Sequence, residues 1–96
     1  MNLNEYRDMC HKIAIEKGFW EASDSVAVKL MLVVTELAEA CEADRKGDDK
    51  NFHEEIADTF IRLFDLCGFL NIDIKKEINA KMIINKSRPK LHGKRY

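Results

Sequence analysis

A chain of 96 residues with 46% apolar and 34% charged side chains is expected to form one small globular domain, residues 1–96, and not a disordered segment. The net charge of −1 marks neither a dedicated nucleic-acid binder nor a highly acidic protein. No leader peptide and no apolar run near the ~18 residues of a membrane span is evident, so a cytoplasmic setting without membrane attachment is expected. The near-neutral total hides an asymmetry: residues 75–96 carry eight bases against one acid, and residues 1–74 carry eight bases against sixteen acids. An acidic body with a basic tail suits a polyanion held through cations on one side and bases on the other.

One proline, four glycines and little strand-like alternation point to helices. The first is expected over Leu3–Lys17, capped by Asn2 or Asn4 and stopped at Gly18. The second follows Ser23 or Asp24 and reaches about Arg45, before Gly47. Asn51 is the expected cap of the third, about Phe52–Leu70, with Glu54 near its third position. Asp73 caps the fourth, which ends near Ser87 ahead of Pro89. Residues 87–96 form a basic tail expected to be irregular. Short connections predict an all-α, four-helix antiparallel bundle. Cys10, Cys41 and Cys67 lack any C-x-x-C spacing and lie in apolar helical patterns, which predicts buried, reduced thiols.

The second helix has two apolar stripes at 100° per residue. Val26, Leu30, Val33 and Leu37 form one; Val28 and Leu32 begin the other, and Glu36 and Glu39 continue it. In the third helix Ile56, Phe60, Leu63, Phe64 and Cys67 make the main stripe, while Glu55 and Asp58 share an adjoining face with Leu66, Phe69 and Arg62. The fourth carries Ile74 and Ile78, then Lys81, Asn85 and Arg88. Three helices thus turn from apolar to polar along lines that would face inward. They would meet at one polar pocket if the second and third form a hairpin.

Surface acids at helix ends, or acids paired with Arg62, would account for the same residues. Facing carboxylates repel, however: two like charges ~4 Å apart at an effective dielectric of ~20 cost about 4 kcal/mol, and protonation or cations must relieve it. An EF-hand over Asp44–Glu55 fails, with Lys46 in place of an Asp or Asn and Asp49 where the turn needs glycine. A di-iron site would need Glu-x-x-His on two helices, and zinc a Cys/His cluster; the chain has neither. Oxygen-only ligands favour Mg²⁺, with Mn²⁺ as a substitute.

Glu36-x-x-Glu39, a polar loop and Glu55-x-x-Asp58 resemble the E-x-x-E…E-x-x-D pattern of the MazG-like all-α nucleoside triphosphate pyrophosphohydrolases. "LVVTELAEACEA" and "EEIADTFIRLFDLCG" are similar to that family's metal-bearing helices, and "KMIINKSRP" with "HGKRY" to its downstream Lys/Asn/Arg stretch. The likeness covers roughly residues 25–96. It implies Mg²⁺-dependent cleavage between the α and β phosphates of a (d)NTP, giving monophosphate and pyrophosphate, as nucleotide-pool housekeeping. It further implies that Glu36, Glu39, Glu55 and Asp58 ligate metal, with Glu39 the first choice as general base. Lys81, Asn85 and Arg88 match phosphate- and substrate-contacting positions. It also implies a homodimer or homotetramer. The pattern departs at Thr35, where many members carry an additional acid. Trp20 and Phe19 lie just ahead of the metal helix and could stack on a base or wall the pocket, with packing against a helix end as the alternative. A non-catalytic helical module, docking its basic C-terminal tail on nucleic acid or an acidic partner, is the competing function.

Overall fold

The computed structural model describes residues 1–95, and all of its regular structure is helical. Tyr96 and the side chain of His92, both assigned to the basic tail, lie outside the described residues. The helices are α1 (Leu3–Glu16), α2 (Val26–Arg45), α3 (Asp49–Leu70) and α4 (Ile74–Ser87). The tail is less irregular than expected, with a single 3₁₀ turn at Lys90–Gly93.

The caps explain the boundaries. Asn2 and Glu5 form a reciprocal capping box, Glu5 N–H donating to Asn2 Oδ1 at 2.9 Å and Asn2 N–H to Glu5 Oε1 at 3.1 Å. Ser25, not Ser23 or Asp24, caps α2 by accepting from Val28 N–H. Asp24 is instead used inside the preceding loop, where it accepts from Glu21 N–H. The third helix starts three residues earlier than Asn51 would allow, because Asp48 accepts from Asn51 N–H. Gly47, at φ +70°, makes the sharp exit from α2 that lets Asp48 cap so soon. The hairpin connection is therefore only Lys46–Asp48.

Antiparallel packing of α2 on α3 and of α3 on α1 builds the body. Arg7 Nη1 donates to the Ile72 carbonyl at 2.8 Å and His11 meets Asp65, a descending pairing that fixes the sense of α1 against α3. Gly68 permits their close approach, since a Cβ there would lie 2.5 Å from His11 Cβ. Ala14, Val33, Ala40, Ala43 and Leu66 are the buried apolar residues. Such a core is small: full burial of a Leu-sized side chain is worth about 1.5–3 kcal/mol, and only one is present.

The helices form an all-α bundle in which α4 is attached more loosely than the other three. α4 docks on α1 through Asn4, whose side chain donates to Asp73 Oδ1 at 2.9 Å and accepts from Lys75 N–H at 3.2 Å. No residue of α4 is buried. The radius of gyration is 15.8 Å, against about 13 Å for a compact 100-residue domain. The stripes are also used unexpectedly. The buried line of α2 is Lys29, Val33, Glu36, Ala40 and Ala43, which takes one residue from each expected stripe and leaves Val26, Val28, Leu30, Leu37 and Glu39 exposed. Phe60 and Leu63 of α3 are likewise exposed.

No described helix is long and apolar enough to cross a membrane. The cysteines are free thiols, but they are not uniformly buried: Cys10 and Cys67 are half-buried and Cys41 is exposed. Burial pushes the Cys10 and Cys67 thiols upward in pKa, which keeps them protonated and unreactive.

Candidate metal centre

The hairpin brings Glu36 and Glu39 of α2 against Glu55 of α3. One oxygen from each lies within 4.8 Å of the others, the one such acidic cluster among the described residues. Glu36 is buried, Glu55 half-buried and Glu39 exposed, so the trio runs from the α2–α3 interface out to the surface. Asp58 stands outside this trio and lines the adjoining cavity with Glu36 and Arg62.

The three carboxylates have different environments. Glu36 is buried and accepts from Arg62 Nε at 2.7 Å. Arg62 thus serves Glu36, and not the Glu55 or Asp58 that share its helix. Burial pushes the Glu36 carboxyl upward, but hydrogen bonds from Arg62 and from the Glu55 and Glu39 carboxyls outweigh it, and its pKa settles below the ordinary value. Glu55 is the opposite case. Its hydrogen bond to Glu36, then desolvation, then the Glu39 carboxylate raise its pKa from 4.5 to about 7. Its Oε2 is buried and receives no hydrogen bond. An ionised carboxylate facing two others has acceptors around it and no donor, so only a proton or a cation can satisfy that oxygen. The donor set, all hard oxygens with one orphaned, fits Mg²⁺ or Mn²⁺.

Beside the trio lies a cavity of about 330 Å³, at the small end of ligand-binding pockets. Cys10, Ile13, Phe19 and Ile61 form apolar wall, and Glu36, Asp58 and Arg62 line it as well. The cavity thus joins an apolar surface to the carboxylates and one guanidinium.

Its wall is anchored by a network without a local sequence signature. Asp65 accepts from Trp20 Nε1 at 2.9 and 3.1 Å and lies 2.8 Å from His11 Nδ1. Phe69 stacks on Trp20 at 4.2 Å, and Lys29 Nζ sits 4.3 Å over the ring. Lys29 also donates to the Phe19 carbonyl and pairs with Asp24 at 3.3 Å, tying the α1–α2 loop to α2. Two neighbours so close to the ring, with its N–H already bonded, make Trp20 an anchor within the chain. Phe19 is the aromatic left exposed at the cavity. Lys81 and Asn85 are exposed on α4, and Arg88 is exposed just past its end; none of the three is in the carboxylate trio or among the residues lining the cavity.

Asp65 and Lys29 carry no motif signal in the sequence because each sits in an ordinary amphipathic position, and His11, expected at the surface or as a cap, is instead half-buried against Asp65. Their partners are 5 to 54 residues away. A mid-helix acid on the Leu66 side of α3 was the one available signal. No protein-family model, no curated protein and no solved structure matches the chain at a significant level.

Proposed function

We propose that this protein is a MazG-like nucleoside triphosphate pyrophosphohydrolase, using Mg²⁺ to cleave (d)NTPs between the α and β phosphates. The observation that carries the reading is the orphaned, buried Glu55 Oε2 inside a trio of carboxylates beside a ligand-sized cavity.

Glu36, Glu39 and Glu55 would hold the cation, and Asp58 at the cavity edge would complete the set or orient the attacking water. When bound, Mg²⁺ neutralises triphosphate charge and stabilises the pyrophosphate leaving group. Arg62 holds Glu36 ionised and in one orientation, and its guanidinium at the cavity can also meet a phosphate oxygen. Glu55 would hold the cation in its ionised form, since a positive charge beside it favours the carboxylate. Glu39 is exposed and stands in the trio, where it can accept the proton of the attacking water. The apolar wall at Phe19, Ile13 and Ile61 is suited to a nucleobase. Three free thiols suit a reducing compartment, and we place the activity in the cytoplasm, with the chain working as a homodimer or homotetramer.

Incubation with a panel of nucleoside triphosphates and Mg²⁺, with products resolved, tests this directly. Monophosphate and pyrophosphate are expected. Diphosphate and orthophosphate would refute α–β cleavage, and no turnover on any nucleotide would leave the basic-tail docking module as the better reading.

A further inference from the structure

Lys29 is the one buried lysine among the described residues, only 8% exposed. A buried ammonium is tolerated when its N–H groups are met, and it has three of them. Here there are three partners: the Phe19 carbonyl, the Asp24 carboxylate at 3.3 Å and the Trp20 ring, whose centroid is 4.3 Å away. All three belong to residues 17–25, the connection between α1 and α2. Lys29 is therefore a clamp from α2 onto that one segment.

The other helices hold the same segment. Gly18, at φ +76°, turns the chain out of α1. Phe19 N–H then donates to the Ala14 carbonyl of α1 at 2.9 Å, while the Phe19 carbonyl accepts from Lys29 of α2. Trp20 is bonded to Asp65 of α3. Two successive residues are thus fixed by three helices. Asp24 adds a brace, accepting from Glu21 N–H at 2.7 Å and pairing with Lys29.

The Phe19 backbone is pinned on both sides, yet its ring stays 64% exposed at the cavity. Core packing does not explain this, because a ring placed for the core would be buried. Ordering a loop and a long lysine side chain costs conformational entropy, and a ring left in water returns none of it. A fixed backbone under an exposed aromatic is what preorganised binding requires.

We propose that Lys29 is a positioning residue, holding the Phe19–Trp20 segment so that the Phe19 ring stands at the cavity for a flat ligand group. Its ammonium is already committed to three partners, so it acts through Phe19 and supports affinity, not bond cleavage. The role rests on the cavity being the nucleotide site proposed above.

Trp20 is the sole tryptophan, so its fluorescence reports the clamp without any substrate. Lys29→Met should raise acrylamide quenching of Trp20 roughly twofold or more with helical circular dichroism retained, because the segment opens locally. On the best nucleotide with Mg²⁺, the same variant should raise KM about tenfold and leave kcat within about threefold. Asp24→Asn keeps an oxygen for Glu21 N–H and removes only the ion pair, so both readings should shift the same way by less. The double variant should be no worse than Lys29→Met alone, since both act through one clamp. Unchanged quenching in Lys29→Met would overturn the clamp. Raised quenching with KM unchanged, or kcat falling as far as kcat/KM, would overturn the positioning role. Should Lys29→Met lose its helical signal, Asp24→Asn decides by the same two readings. A wild type that hydrolyses no nucleotide refutes the reaction and with it the positioning role, and quenching still judges the clamp separately.

Discussion

Asp65 and Glu55 are acids on the same helix, ten residues apart, and they are treated in opposite ways. Asp65 is surrounded by donors, with the Trp20 indole reaching both its oxygens and His11 beside one of them. Glu55 is surrounded by other acids and has a buried oxygen with no donor at all. A fold that can satisfy a carboxylate so completely at one end of α3 leaves another unsatisfied at the other end. On the proposed function, the difference is that between a structural acid and a cation ligand. It also separates two kinds of instability: removing Asp65 should harm the fold, and removing Glu55 should relieve it.

The largest expected effect is on activity. Glu36→Gln or Glu39→Gln should lower turnover on the order of 100-fold or more while the protein stays folded, read from single-turnover kinetics beside a thermal melt. Activity undiminished in both would sink the metal assignment. Next, Asp65→Ala should lower stability by about 2–3 kcal/mol in urea unfolding, because it strips the Trp20 N–H and His11 of a charged acceptor. An unchanged midpoint would mean the network is not holding the cavity wall. Gly68→Ala should lower stability by about 1–3 kcal/mol, since its methyl would meet His11 Cβ; here the sensitive reading is loss of the α1–α3 contact by amide exchange.

The smallest effect is a pH dependence with a defined sign. Glu55 titrates near 7 in the folded metal-free chain and near 4.5 when unfolded. Its contribution is therefore fully present below pH 4.5 and is lost as pH rises to about 7, so the metal-free protein should melt lower at pH 7.5 than at pH 5 on this account. Glu55→Gln should flatten that slope. Divalent cation should raise the melting temperature more at pH 7.5, where no proton competes for the site, and a larger shift at pH 5 would contradict the assignment.

Much of the architecture was legible in local pattern. Asn2, Gly18 and Asp73 announce helix ends through capping and φ > 0 chemistry, and the structure uses all three. Asn51 misled because Asp48, three residues before it, is also a good cap, and only the tight turn at Gly47 chooses between them. Periodicity located Glu36 and Glu55 on neighbouring faces, yet it could not say which of the two α2 stripes faces α3. The buried line runs between them through Lys29, Val33, Glu36, Ala40 and Ala43, where Lys29 is held by its own partners in the α1–α2 loop. The Asp65 network joins three segments across long sequence separations, and no window of sequence contains it. α4 reads as a fourth bundle helix from Ile74 and Ile78, which are half-buried, while every residue after them in the helix is exposed.

The contrast between the two ends of α3 can be decided by one titration. Mn²⁺ added to the protein and followed by electron paramagnetic resonance counts bound ions without any assumption about substrate. The wild type and Asp65→Asn should hold Mn²⁺ alike, and Mg²⁺ should displace it. Glu55→Gln and Glu36→Gln should each weaken it at least roughly tenfold. Equal binding by all four proteins, or none by the wild type, would contradict the claim that the unsatisfied carboxylates of α2 and α3 are a cation site.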